Sequence, residues 1–148
     1  MLRTGQAAPD FELPDENGRP VTLSVRLAER SVVLFFYPGD FTPVCTREVC
    51  MIRDAYAELT EHGFDVLGVS PDSVESHARF HTEHSLPYSL LADPEKRVIR
   101  LYGVGGPFGL GVRRATYVIG QDAQIRDVIR ADLRLAPHRS LLRRAMGL

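Results

Sequence analysis

Apolar and polar residues alternate over Phe11-Glu12-Leu13 and again over Val21-Thr22-Leu23, on either side of Pro14-Asp15-Glu16-Asn17-Gly18. That pattern predicts a β-hairpin. SVVLFFY (31–37) and FDVLGVS (64–70) are short, nearly unbroken apolar runs, as expected of strands buried on both faces. They stop at Pro38-Gly39 and Pro71-Asp72. Between them the period changes. Val49, Ile52, Tyr56 and Leu59 recur at spacings of three and four, which predicts a helix from Pro43 to near His62-Gly63. Ser73 caps a second helix running to about Ser85. Leu90-Leu91-Ala92 leads into an Asp93-Pro94 turn and a short helix from Glu95 to Tyr102, and 103–113 is a glycine-rich loop. ATYVIG (115–120) and QIRDVIR (124–130) form a second hairpin, and a last helix spans about Pro137 to Met146. Strands alternating with helices and closing in a hairpin imply an α/β fold whose sheet has mixed strand directions.

Composition narrows the setting. The 148 residues suit one domain, 1–148, with no repeat, linker or low-complexity tract. The fractions of hydrophobic (44%) and charged (25%) residues are those of a globular protein. With a net charge of -1 and no basic run, no nucleic-acid partner is expected. The N-terminus lacks a secretory apolar core, and the strongest apolar run, Val32 to Tyr37, is far too short to span a membrane. A cytoplasmic protein with no membrane partner is the expectation. There, two close cysteines point to catalysis, redox sensing or metal binding rather than to a permanent cross-link.

The only cysteines lie in YPGDFTPVCTREVC (37–50). Cys45 falls in the first turn of the predicted 43–62 helix, where orphan N–H groups and the positive dipole end favour an anion such as a thiolate. Thr42 offers a hydroxyl nearby, while Pro38 and Pro43 stiffen the turn and remove two backbone donors. Five helical residues separate the Cα atoms of Cys45 and Cys50 by about 8.6 Å, beyond the ~7 Å that a disulfide tolerates. Any Cys45–Cys50 bond therefore requires a helical turn to unwind. Cys50 also has a plainer reading as a small buried hydrophobe. Zinc is disfavoured by a single C-x₄-C without a second cysteine pair. His77, His81 and His84 share a helix face and could supply ligands, but such histidines more often line a solvated face. The thioredoxin-type C-x-x-C is absent.

YPGDFTPVC fits the peroxiredoxin signature P-x-x-x-T-x-x-C through Pro38, Thr42 and Cys45. CTREVCMIRD resembles the Q-type, or bacterioferritin-comigratory-protein-like, subgroup with its second cysteine five residues on. GQAAPDFELPDENG, VLGVSPDSVESHARF, LLADPEKRV and RRATYVI extend the resemblance over nearly the whole chain. It implies a thioredoxin-like fold, with a mixed central sheet flanked by helices and an N-terminal β-hairpin extension. It also implies an atypical two-cysteine thiol peroxidase acting on hydrogen peroxide and organic hydroperoxides. In that scheme Cys45 is peroxidatic, Thr42 binds peroxide and thiolate, Pro38 shields the site and Cys50 resolves. Arg114, before the A-T-Y strand, matches the family's active-site arginine, with Arg113 the nearest rival; without the resemblance, an arginine at a strand edge reads as solvated. Glu48 reads as helix support, and Asp72 and Asp93 as turn residues. The 103–111 loop with Phe108 is placed at the mouth of the site, and is not a dinucleotide fingerprint.

The implied cycle needs no metal, flavin or haem. Its partners are a hydroperoxide and thioredoxin or a similar dithiol reductant, with the protein expected as a monomer and a dimer left open. A peroxide sensor passing oxidation to a partner, or a general thiol–disulfide oxidoreductase, are the alternatives.

Overall fold

Along the strand Ser31–Phe36 (β3), even and odd residues belong to opposite sides of the sheet. Val32, Leu34 and Phe36 join one apolar cluster, and Val33 and Phe35 join the other together with Tyr37 and Cys45. A strand apolar at every position has this outcome because successive side chains point to opposite faces. The computed structural model describes residues 1–148. In it, β3 is the middle of a five-stranded sheet whose order follows from its pairings. On one side it pairs in parallel with Phe64–Ser70 (β4), which pairs in parallel with Ser89–Ala92 (β5). On the other it pairs antiparallel with Ala115–Ile119 (β6), which forms a hairpin with Ile125–Arg130 (β7). The mixed sheet is the one expected.

Glu12–Pro14 (β1) and Pro20–Thr22 (β2) form the N-terminal hairpin. Leu23, expected to end its second arm, instead opens a five-residue helix, Leu23–Leu27 (α1), whose ends Leu23 and Leu27 are both buried. One turn is too short for helical periodicity to be visible. Pro43–Glu61 (α2) and Val74–Glu83 (α3) lie where expected, and Ser73 caps α3 by accepting the Ser76 N–H at 3.1 Å. The short helix Arg97–Leu101 (α4) starts two residues later than expected. Asp93 accepts the N–H groups of Arg97 and Ile99 in its first turn. Ala136–Ala145 (α5) closes the chain. No helix is long and apolar enough to cross a membrane.

The hairpin, α1 and α4 cover one face of the sheet through Leu13, Val21, Leu23, Leu27, Val98 and Ile99. α2 and α5 cover the other through Val49, Ile52, Leu59, Leu141 and Leu142. Gly68 on β4 stands opposite Phe35 and Leu90, and a Cβ there would lie 2.6 Å from the Phe35 ring. The edge strand β5 is sealed by a side chain rather than by another strand. Glu16, buried in the hairpin turn, accepts the Leu90 N–H at 3.2 Å.

Candidate active site

The site forms where β3 ends. The chain leaves β3 through Tyr37 and the loop 38–42 and enters α2, whose N-cap is Thr42 and whose first residue is Pro43. Cys45 is therefore in the first turn, and it is fully buried. Because β6 runs antiparallel to β3, with Ala115 opposite Phe36, the residue before β6 arrives at the same end of the sheet. That residue is Arg114. Its Nη2 lies 3.3 Å from Cys45 Sγ, and its side chain is 3% exposed. Arg113, one residue earlier, turns outward to Asp132 at 3.5 Å and is a third exposed. Arg114 is thus buried, against the solvated reading that its position before a strand suggested.

Three acceptors hold the Arg114 guanidinium. Cys45 is one, the Asp132 carbonyl takes Nε at 3.0 Å, and Glu48 Oε1 takes Nη1. The Arg114 backbone N–H donates to Asp132 Oδ1 as well. Glu48 corrects the sequence reading. Beyond helix support, it is a completely buried carboxyl against Arg114, three residues after Cys45 and so on the same helix face. Burial pushes its pKa up to about 7, against the opposing pull of Arg114. Its Oε2 has no hydrogen-bond partner, and the closest base is His138 Nδ1 at 4.0 Å. His138 is held below its ordinary value by burial. Its two ring nitrogens are occupied by the Thr116 hydroxyl (2.8 Å) and the Ala131 carbonyl (2.9 Å), consistent with a neutral ring. For Arg114, burial disfavours the charge, but Glu48 and Cys45 outweigh it and its pKa is raised.

Thr42 is exposed, and its hydroxyl donates to the Gly39 carbonyl at 3.0 Å rather than to the sulfur. Pro38, Thr42, Val44 and Arg114 line an open cleft of about 530 Å³ whose far wall includes Leu110 of the glycine-rich loop and Leu133. The loop borders the mouth as expected. Phe108, however, does not line the cleft and points wholly into solvent.

A second network fixes the loop 38–42 from below. Asp40 accepts from Tyr37 Oη (2.7 Å) and Ser76 Oγ (2.8 Å) and lies 2.7 Å from His77 Nδ1. His77 Nε2 reaches the Leu91 carbonyl at 3.0 Å, and Asp72 accepts the Asp40 N–H. His77 is completely buried, which overturns its reading as part of a solvated helix face. Asp72 closes a turn, as expected, but also anchors this loop. Asp40, Asp72 and His77 bring ligand-type atoms within 4.8 Å of one another. Each of them already bonds to protein groups in this network. Phe41, in the left-handed region at φ 65°, packs edge-on against Phe80 of α3. Strain of this kind persists only where the surroundings over-determine it.

Cys50 is half-buried, with a free thiol, in an α2 that runs unbroken past both cysteines.

Residues 4–128 match the AhpC/TSA family. The chain belongs to that family. Peroxiredoxins of the AhpC/TSA family are thiol peroxidases, and this member is of that type. It is 43% identical over 125 residues to the chloroplastic peroxiredoxin Q of Arabidopsis thaliana; these are 84% of this chain and 57% of that relative. Among solved structures it is similar to peroxidoxin BcpB of Mycobacterium tuberculosis, with a TM-score of 0.92 and 37% identity over 99% of this chain and 97% of that one. The bacterioferritin comigratory protein of Xanthomonas campestris, described for its alkyl peroxide reduction activity, aligns with a TM-score of 0.85 at 28% identity over 93% and 90% of the two chains. The thioredoxin-like fold with its hairpin extension is thus the fold of this peroxiredoxin.

Sequence reasoning missed Asp40, Asp132 and His138, and it read Glu48 as helix support although Glu48 matches a frequent acid of the family and stands three residues after Cys45. The other partners come from distant segments joined by the fold.

Proposed function

We propose that Cys45 is the peroxidatic thiol of a peroxidase acting on hydrogen peroxide and organic hydroperoxides, that Cys50 resolves it, and that thioredoxin or a similar dithiol restores both thiols. The observation that carries this is Arg114 Nη2 at 3.3 Å from Cys45 Sγ, at the N-terminus of a 19-residue helix. The Cys45 thiolate attacks one peroxide oxygen, the O–O bond breaks, and the alcohol or water leaves after taking up a proton. The product is a sulfenic acid. Negative charge passes from sulfur to the leaving oxygen, and Arg114 with the helix N–H groups is preorganised to stabilise it. Thr42, its proton engaged by Gly39, presents hydroxyl lone pairs to the hydroperoxide O–H. Pro38 shields the mouth.

Both cysteines belong to one chain, so the cycle needs no second copy. The apolar residues Val44, Leu110 and Leu133 around the cleft suit the tail of an organic hydroperoxide. A cytoplasmic setting would supply the dithiol. Peroxide consumption by the purified protein with dithiothreitol as reductant tests the reading. C45S should abolish turnover, because a serine hydroxyl cannot supply the nucleophile at neutral pH. Substantial turnover by C45S would refute it.

A further inference from the structure

Cys50 has surroundings that a merely buried cysteine does not require. Its Sγ lies 3.8 Å from His84 Nδ1, within reach of a weak S–H···N hydrogen bond. His84 ends α3, where its ring packs edge-on against Phe80 at 4.9 Å. Arg53, one turn after Cys50, donates from Nη1 to the His84 carbonyl at 2.9 Å, and its charge interacts with the Cys50 thiol. The other titratable groups facing this corner are Asp54, paired with Arg53, and Tyr88. Burial holds the Tyr88 phenol well above its ordinary value, so it remains a hydroxyl donor. It donates to the Val49 carbonyl at 2.7 Å, immediately before Cys50. The half-buried Cys50 thiol thus has a histidine nitrogen beside it that can take its proton.

We propose that His84 is the general base of the resolving step, a catalytic residue at the second thiol. This rests on the reading of Cys50 as the resolving cysteine. His84 Nδ1 accepts the Cys50 S–H proton, and the thiolate attacks Cys45 Sγ of the sulfenic acid. The S–S bond forms as the S–OH bond breaks, and the departing oxygen takes a proton from the imidazolium and leaves as water. Cys50 sulfur is oxidised by the amount that Cys45 sulfur is reduced, and no further reagent enters. Tyr88 and Arg53 are positioning residues. They keep Cys50 beside His84 while the first turn of α2, carrying Cys45, comes to it.

The test adds one equivalent of hydrogen peroxide to reduced wild type, H84A and H84N, with acid quench. Mass spectrometry then follows the Cys45 sulfenic acid (trapped with dimedone) and the 45–50 disulfide. In both variants the rate constant for disulfide formation, divided by that for Cys45 oxidation, should fall at least about tenfold at neutral pH. The pH profile of disulfide formation should be flatter in both variants than in wild type, and added imidazole should restore part of the rate. H84N keeps a polar side chain at the end of α3, so equal slowing in H84N and H84A separates loss of the base from loss of the helix end. Alkylation of Cys50 by iodoacetamide in a C45S background should likewise slow at neutral pH when His84 is replaced. An unchanged ratio and pH profile, with the disulfide still forming, would overturn the role of His84 and leave Cys50 as the resolving thiol. Absence of the 45–50 disulfide in wild type would overturn both.

Discussion

Two adjacent arginines, Arg113 and Arg114, carry the same charge and differ only in which way the backbone aims them. One is a third exposed and faces Asp132; the other is buried against sulfur. The R114A variant should therefore react with peroxide about 10²-fold more slowly, the cost typical of removing one preorganised donor. R113A, which loses only an exposed ion pair, should stay within about twofold. Stopped-flow oxidation of the reduced proteins measures both, and equal effects would mean that the guanidinium at the sulfur does not assist the reaction. Glu48 gives a second test at this scale. Its carboxyl titrates near 4.5 in the unfolded chain and at about 7 in the fold, because burial disfavours its charge. The fold thus binds the proton more tightly. The associated stability is complete below pH 4.5 and is lost as pH rises to about 7. By linkage this is about 3 kcal/mol, and E48Q should remove that slope from denaturant-derived stability measured between about pH 4.5 and 7. The same slope in E48Q would place the titration on another group.

At the scale of the element, α2 has two sections with different attachments. Its first turn is held by Arg114 at Cys45 and by the Asp40–His77 network beneath the preceding loop. From Val49 onward it is held by Tyr88 at the Val49 carbonyl and by Arg53 at the end of α3. A 45–50 disulfide cannot form across ~8.6 Å of intact helix, so one section has to open, and the first is the one free of the Tyr88 contact. Oxidation by one equivalent of peroxide should raise amide hydrogen exchange over residues 43–48. Residues 51–61 and the strands β3 and β4 should stay protected. Protection retained throughout α2 in a protein with the disulfide would contradict this division. The helix itself was legible, because Val49, Ile52 and Leu59 bury one stripe and Pro43 marks the start. The cysteine motif and Arg114 were legible through family resemblance. Glu48 was misread since a glutamate three positions along a helix looks the same in sequence whether it faces water or a guanidinium. His77 was misread for a related reason: Asp40, its buried partner, lies 37 positions earlier. α1 escaped because one turn has no period to detect.

On the scale of the whole molecule, β3 holds the middle of the sheet and delivers the reactive loop. The five-stranded sheet ends in two edge strands, β7 and β5. On β7, Arg126, Asp127 and Arg130 place charge along the margin, and Asp127 is engaged by Arg144 of α5 at 3.0 Å. On β5 the sequence Ser-Leu-Leu-Ala carries no charge at all. There the Glu16 carboxylate takes the Leu90 N–H, and His77 takes the Leu91 carbonyl from the same strand. An uncharged strand with free backbone donors is a template for another chain, and natural sheets cover such edges. The Glu16 side chain of the N-terminal hairpin thus occupies a backbone donor that another chain could otherwise take. E16A should leave the reactivity of Cys45 intact while shortening the lag to light-scattering aggregates on agitation near the onset of unfolding. E16Q, which keeps a side-chain oxygen for the Leu90 N–H, should remain close to wild type. If E16A and wild type clouded together, the protection of this margin would have to come from the hairpin's apolar cover, and removing that cover would convert a peroxidase into a strand looking for a partner.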